Sequence, residues 1–188
     1  MNPHGMLAAL RQDYKRYRPG RGGIVALFIL FLRHAGFRAT ALYRAGNWFR
    51  KRRLSIVAGL CERLIRHLCL CEIGSQAEIG PGLMIPHTIG LVIGRSTVIG
   101  SHCDLRQNTT LGANYGKEAP DGRTQPILGD NVSVGAGAVI IGPVRVGSNA
   151  VVGANAVVTH DVPDGATVAG VPARVIRGRL HTQLRQDD

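Results

Sequence analysis

From Ile73 onward the chain repeats a six-residue unit that opens on an aliphatic residue and commonly continues with glycine. The units begin Ile73-Gly74, Ile79-Gly80 and Ile85-Pro86, then, after a two-residue offset, Ile93-Gly94, Ile99-Gly100, Leu105-Arg106 and Leu111-Gly112. A second array, Leu128-Gly129, Val134-Gly135, Ile140, Val146-Gly147, Val152-Gly153 and Val158, keeps its phase throughout. Such a unit is one very short strand plus one tight turn, so that three units close a triangular coil with the aliphatic side chains stacked inside. A β-sandwich would instead alternate every second residue and turn about every 8–12 residues. The period therefore predicts a mainly β parallel solenoid, with the glycines permitting the turns.

The phase breaks twice, and a break in a solenoid is where chain leaves the wall and can carry function. The first break is Pro86-His87-Thr88-Ile89-Gly90. The second is a longer insertion, residues 113–127, which holds Asn114, Tyr115, Lys117, Arg123 and Gln125.

Residues 1–71 follow a different grammar. Apolar residues recur at three- and four-residue spacing among basic ones, as in Leu54, Val57, Leu60, Leu64 and Leu68, which predicts a basic amphipathic region of two or three helices. Breaks are expected at Arg18-Pro19-Gly20-Arg21-Gly22-Gly23 and around Gly46 to Arg53. The formal charge of +11 is concentrated here: 14 Lys+Arg against Asp13 and Glu62 give +12, while the remaining 9 Lys+Arg against 10 acids give −1. Such a segment suits phosphate, an anionic membrane surface or an acidic partner, or is a solvated helical face. The longest apolar run, Ile24 to Leu32, has nine residues and falls short of the ~20 that span a bilayer. No charged segment leading straight into an apolar one opens the chain, so a cytoplasmic location without a cleaved signal peptide is expected. Cys61, Cys69, Cys71 and Cys103 do not form a disulfide framework and read as buried thiols.

Moving an acyl group from a thioester to an alcohol needs a base for the hydroxyl, an acid for the departing thiol and donors for the oxyanion. One histidine fills the first two roles near neutral pH if a carboxylate fixes its tautomer. His87, alone at a phase break, is the candidate. Glu72 lies 15 residues earlier, close to one coil below, and is its candidate orienting carboxylate. The backbone N–H of Gly112 or Ala113 is the candidate oxyanion donor. His102 and His160 fall on regular repeat or turn positions, and His4, His34, His67 and His181 lie outside the solenoid. They form no trio at metal spacing, so no metal is expected.

The segments His87-Thr88-Ile89-Gly90-Leu91-Val92-Ile93-Gly94, Thr110-Leu111-Gly112, Val134-Gly135-Ala136-Gly137-Ala138 and Ala169-Gly170-Val171-Pro172-Ala173-Arg174-Val175-Ile176 resemble the serine acetyltransferase family of the hexapeptide-repeat acyltransferase superfamily. They look most like its short exopolysaccharide, colanic-acid-type members. The resemblance covers roughly residues 70–178. It implies a left-handed parallel β-helix over 72–176 after the helical region, a tail at 177–188, acetyl-CoA as co-substrate, and a homotrimer whose clefts hold that co-substrate. It places the family's base histidine on His87 and its orienting aspartate on Glu72. It implies a pantetheine groove along Ala136 and Ala154, and Arg174 and Arg177 either at the CoA phosphates or simply capping the last coil. Gln107, Tyr115, Lys117 and Gln125 are the expected acceptor contacts.

Two departures shape the expected acceptor. The family's Asp before the base is Pro86 here, and its Arg-His-Pro reads Thr124-Gln125-Pro126. A site built for the charged groups of serine rejects mismatched replacements strongly, so the expectation is a sugar hydroxyl of a glycan precursor, with the basic arm near a membrane. Serine O-acetylation is the alternative in the same class. A non-catalytic β-helical scaffold whose basic arm binds nucleic acid or a partner is the alternative outside it. The helical region is shorter than in typical family members, which argues against their hexamer.

Overall fold

The computed structural model describes residues 3–18 and 23–177, apart from the side chains of Pro3, His4 and Arg177. The expected break at 18–23 falls mostly on residues outside this set. Four helices come first, against the two or three expected: α1 (Pro3–Tyr17), α2 (Ile24–Arg33), α3 (Ala35–Lys51) and α4 (Ser55–Cys69). The break expected around Gly46 to Arg53 falls at Arg52 and Arg53, between the end of α3 at Lys51 and the N-cap Leu54 of α4, while Gly46 itself lies within α3.

Three parallel walls follow. The first stacks Glu72–Ile73 (β1), Val92–Ile93 (β3), Thr110–Gly112 (β6), Val139–Ile141 (β9) and Val157–Val158 (β12). The second stacks Glu78–Ile79 (β2), Val98–Ile99 (β4), Ile127–Leu128 (β7) and Arg145–Val146 (β10). The third stacks Asp104–Leu105 (β5), Ser133–Val134 (β8), Val151–Val152 (β11) and Thr167–Ala169 (β13), and Arg174–Arg177 (β14) closes it antiparallel to β13. In every two-residue strand the second side chain is buried, and these aliphatics stack into a single core column from Ile73 to Val168.

The repeat glycines work differently from the sequence expectation. Gly74, Gly80, Gly100, Gly129, Gly135 and Gly147 do not have positive φ. They are required because the next coil lies directly on them: a Cβ at Gly100 would sit 2.5 Å from the Gly129 carbonyl carbon, and one at Gly135 2.5 Å from the Ala154 nitrogen. The left-handed backbone positions recur elsewhere in the unit. Leu70, Gly90, Asn108, Gly137 and Asn155 climb the corner between the third and first walls with φ of 53–71°. Gly82, His102, Asn131, Asn149 and Gly165 climb the corner between the second and third with φ of 56–81°. Asparagine tolerates this region better than other side chains.

The helices cap the open first coil, whose strand edge would otherwise expose unpaired backbone groups. One face of α3 supplies most of the partners. Tyr43 Oη donates to Ala77 O at 2.7 Å, and Asn47 Nδ2 donates to Ser75 O and Ala77 O at 3.0 and 3.1 Å. Arg44 Nη1 and Nη2 donate to Ile79 O and Gly80 O at 2.5 and 2.6 Å. From α1, Tyr17 Oη donates to Ile85 O at 3.1 Å and accepts from Ile85 N at 2.9 Å. The helical layer is therefore a fitted lid on the solenoid.

The stripe Leu54, Val57, Leu60, Leu64 and Leu68 points outward, each residue at least 36% exposed. The buried side of α4 is Ala58, Cys61, Ile65 and Cys69, because small side chains let it approach α3 at Gly46, where a Cβ would meet Cys61 Cβ at 3.1 Å.

Candidate active site

The corner between the third and first walls gathers four of the singled-out residues. A ladder of backbone bonds defines it: Gly90 N to Leu70 O at 2.9 Å, Asn108 N to Ile89 O at 2.9 Å, Gly137 N to Gln107 O at 3.0 Å, and Asn155 N to Ala136 O at 2.8 Å. His87, Gln107, Ala136 and Ala154 thus lie on successive levels of one ridge. His87 is exposed and opens into a cleft of about 310 Å³ whose other walls include Ala35, Leu68, Leu70, Pro86 and Ile89. Thr88 beside it is buried and anchors the turn through its carbonyl, which accepts Leu91 N at 3.0 Å. Gln107 is only partly exposed, and its Oε1 is a buried acceptor without a hydrogen-bond partner among the described residues.

Glu72 sits on β1 in register with Val92, one coil below that residue. Its carboxylate is engaged by Arg66 Nε at 3.1 Å, and no hydrogen bond joins it to His87 among the described residues. Both side chains of this ion pair are more than half exposed, so the pair contributes about 0–1 kcal/mol and is a weak competitor for the carboxylate. Arg66 is a residue that the sequence reading missed; its place four residues after Glu62 on α4 gave no sign of its partner.

The remaining candidates occupy other places. Gly112 belongs to the β6–β9 ladder opposite Ile141, and its carbonyl accepts Gly142 N at 3.0 Å. Ala113 starts the extruded loop, at the corner between the first and second walls. Tyr115 is 98% exposed there and Lys117 is exposed, with its N–H bonded to Asn114 O at 3.0 Å. The loop is held by Arg123, which donates to Pro143 O at 3.0 Å.

Gln125 folds back on the coil below, where its Oε1 takes Ser96 N at 3.1 Å and Thr97 Oγ1 at 3.0 Å, in the space that the missing side chain of Gly94 leaves. Asp130 and Asp164 do the same over Gly100 and Gly147, accepting Ser101 N at 2.6 Å and Ser148 N at 2.7 Å. A recurring side-chain latch between coils thus accounts for the amide oxygen expected to meet the acceptor. Arg174 is exposed and donates to its own neighbour's carbonyl, Ala173 O, at 2.9 Å; the side chain of Arg177 lies outside the described residues.

A parallel hexapeptide solenoid with an exposed histidine at the foot of a ridge that carries Ala136 and Ala154 fits the class of hexapeptide transferases, and residues 125–160 match the family described as bacterial transferase hexapeptide (six repeats). The likeness narrows further. A serine acetyltransferase of Synechococcus elongatus is 37% identical over 91% of this chain and 67% of its own length, and one of Helicobacter pylori is 39% identical over 78% and 84%. The Neisseria gonorrhoeae serine acetyltransferase crystallised with serine superposes with a TM-score of 0.81 at 29% identity, covering 93% of this chain and 70% of that one. The chain belongs to the serine acetyltransferase family, and it is an acetyltransferase with acetyl-CoA as its co-substrate.

These findings overturn the sugar acceptor. Serine acetyltransferases match along nearly the whole chain, and the narrower likeness to colanic-acid-type enzymes finds no support. Pro86 and Gln125 are local departures in a chain that otherwise agrees with the family.

Proposed function

We propose that this protein transfers the acetyl group of acetyl-CoA to the hydroxyl of serine, with His87 as general base. The observation that carries this reading is the position of His87: exposed in a cleft at the foot of a ridge that runs past Gln107 to the small residues Ala136 and Ala154. The imidazole takes the proton of the serine hydroxyl as the oxygen attacks the thioester carbonyl carbon. The C–S bond then breaks, and the same proton passes to the departing CoA sulfur. A base in this role contributes about 10²–10⁴-fold. Glu72, freed from Arg66, orients the ring. Gln107 offers its unpartnered Oε1 to the serine, and Gly112 or Ala113 offers an N–H to the oxyanion.

We read the coil as left-handed and the enzyme as a trimer. What supports the trimer is the separation, within one chain, of the His87 corner from the corner that bears Tyr115 and Lys117. A neighbouring copy brings the two together, and Arg174 and Arg177 then serve the CoA phosphates at the top of the groove. Residues 72–176 form the catalytic domain in this reading, with 1–71 as its lid and 177–188 as a tail.

The test is acceptor-dependent release of CoA thiol, with the product identified by mass. O-Acetylserine formed from free serine supports the proposal. Release with serine no faster than the hydrolytic background refutes it.

A further inference from the structure

We infer that the helical layer is also a docking surface for an anionic lipid bilayer. Helix α2 is apolar around its whole circumference. Leu30 and its neighbours Ala26, Leu27 and Phe31 pack against Phe37 and Tyr14, yet Ile24, Val25, Phe28 and Leu32 on the other side are 57–83% exposed. A helix of this kind belongs in a core or in lipid, and half of this one is in neither.

A second apolar row lies on α4, where Ile56, Leu60 and Leu64 are 91%, 55% and 37% exposed. The two rows converge at their C-terminal ends. There the guanidinium of Arg38 donates to Leu32 O at 3.1 Å and to Leu68 O at 2.9 Å.

Charge selects the occupant. The helical region bears +12, and its two carboxylates are consumed internally. Asp13 is fully buried against Arg44, while Glu62 accepts Ser75 N at 2.8 Å and faces Arg50 and Arg95. Arg33, Lys51, Arg52, Arg53 and Arg63 are exposed, and no exposed carboxylate accompanies them on the described helices. A second copy meeting this face would set like charge against like, whereas an anionic surface neutralises it and takes up the apolar rows. α2 is ten residues, about 15 Å, long, and no single helix among the described residues is long and apolar enough to cross a membrane. In this inference the helices lie in the interface, with the apolar rows in the acyl boundary and the basic residues at the headgroups.

The test is sedimentation of the full chain with vesicles of phosphatidylcholine alone and of phosphatidylcholine with about 30% phosphatidylglycerol. The expected result is binding to the anionic vesicles, at least tenfold weaker on neutral ones and weakened again by about 0.5 M salt. Phe28→Ser with Leu60→Ser should lower the partition at least tenfold while leaving turnover in free solution unchanged. Arg52→Gln, Arg53→Gln and Arg63→Gln together should lower it roughly hundredfold. The inference is overturned by absence of binding to anionic vesicles, by equal binding of the apolar variant, or by lipid-free self-association that Phe28→Ser abolishes. Serine-dependent turnover, assayed without vesicles, reports separately on the proposed reaction.

Discussion

Asp13 and Arg44 form a fully enclosed pair: the carboxylate takes Nε of the guanidinium at 3.0 Å and Nη2 at 3.1 Å, with both side chains at most 2% exposed. The same carboxylate accepts Gly82 N at 2.8 Å and Leu83 N at 3.0 Å. One pair thus joins α1, α3 and the first coil. Removing one partner strands a buried charge, so Asp13→Leu should cost about 3–5 kcal/mol in urea unfolding. Many buried pairs can be exchanged for apolar residues without loss, but here Gly82 N, Leu83 N and Ile79 O would remain unpaired. Asp13→Leu with Arg44→Met should therefore stay well below wild type, and full recovery would show that the backbone bonds carry no weight.

The glycines separate into two kinds that opposite substitutions distinguish. Gly100→Ala would drive a Cβ to 2.5 Å from backbone of the next coil, so it should destabilise by about 1–3 kcal/mol or more. Gly59, within α4, has nothing within 4 Å of its would-be Cβ, and Gly59→Ala should stabilise by about 0.5–1 kcal/mol. Equal effects in thermal melts would contradict the close-approach account of the repeat glycine.

The six-residue period was enough to locate the core, because every second strand residue from Ile73 to Val168 faces inward in a coil with no other solution. The turn chemistry was only half legible. Asn108, Asn131, Asn149 and Asn155 carried the signal for left-handed backbone, but the more frequent Gly drew the attribution. The apolar stripe of α4 is legible from its spacing, but not the side it faces, since what fixes the helix's orientation is Gly46 on another helix. Gln125 could not be read at all from one sequence, because its partners Ser96 and Thr97 lie one coil away. Nor could the capture of Glu72 by Arg66, a contact across the junction of lid and solenoid.

All four cysteines are free and buried. Burial pushes the Cys71 thiol up to about 12 and the Cys103 thiol up to about 11, from an ordinary 9.0. Folded Cys71 and Cys103 should resist a thiol reagent at pH 8 and react only at the rate of unfolding. The linkage has a definite sign. Above about pH 9 the unfolded thiols lose protons that the folded ones keep, so the native state binds more protons and stability falls as pH rises toward 11. Reaction of these two thiols in native protein at the rate of a free thiol would contradict their burial.

Gln107 presents a buried acceptor without a partner among the described residues, on the ridge above His87. If it holds the serine, Gln107→Leu should raise KM for serine about tenfold, the loss of one hydrogen bond of roughly 1–1.5 kcal/mol, and leave KM for acetyl-CoA unchanged. Equal shifts in both constants would mean that the residue only shapes the ridge.

The most direct test of the central claim is CoA-thiol release from acetyl-CoA with free serine, compared between wild type and His87→Ala of matched thermal stability. The account predicts serine-dependent release by wild type that falls about 10²–10⁴-fold in the variant. Equal serine-dependent rates in the two proteins would contradict it.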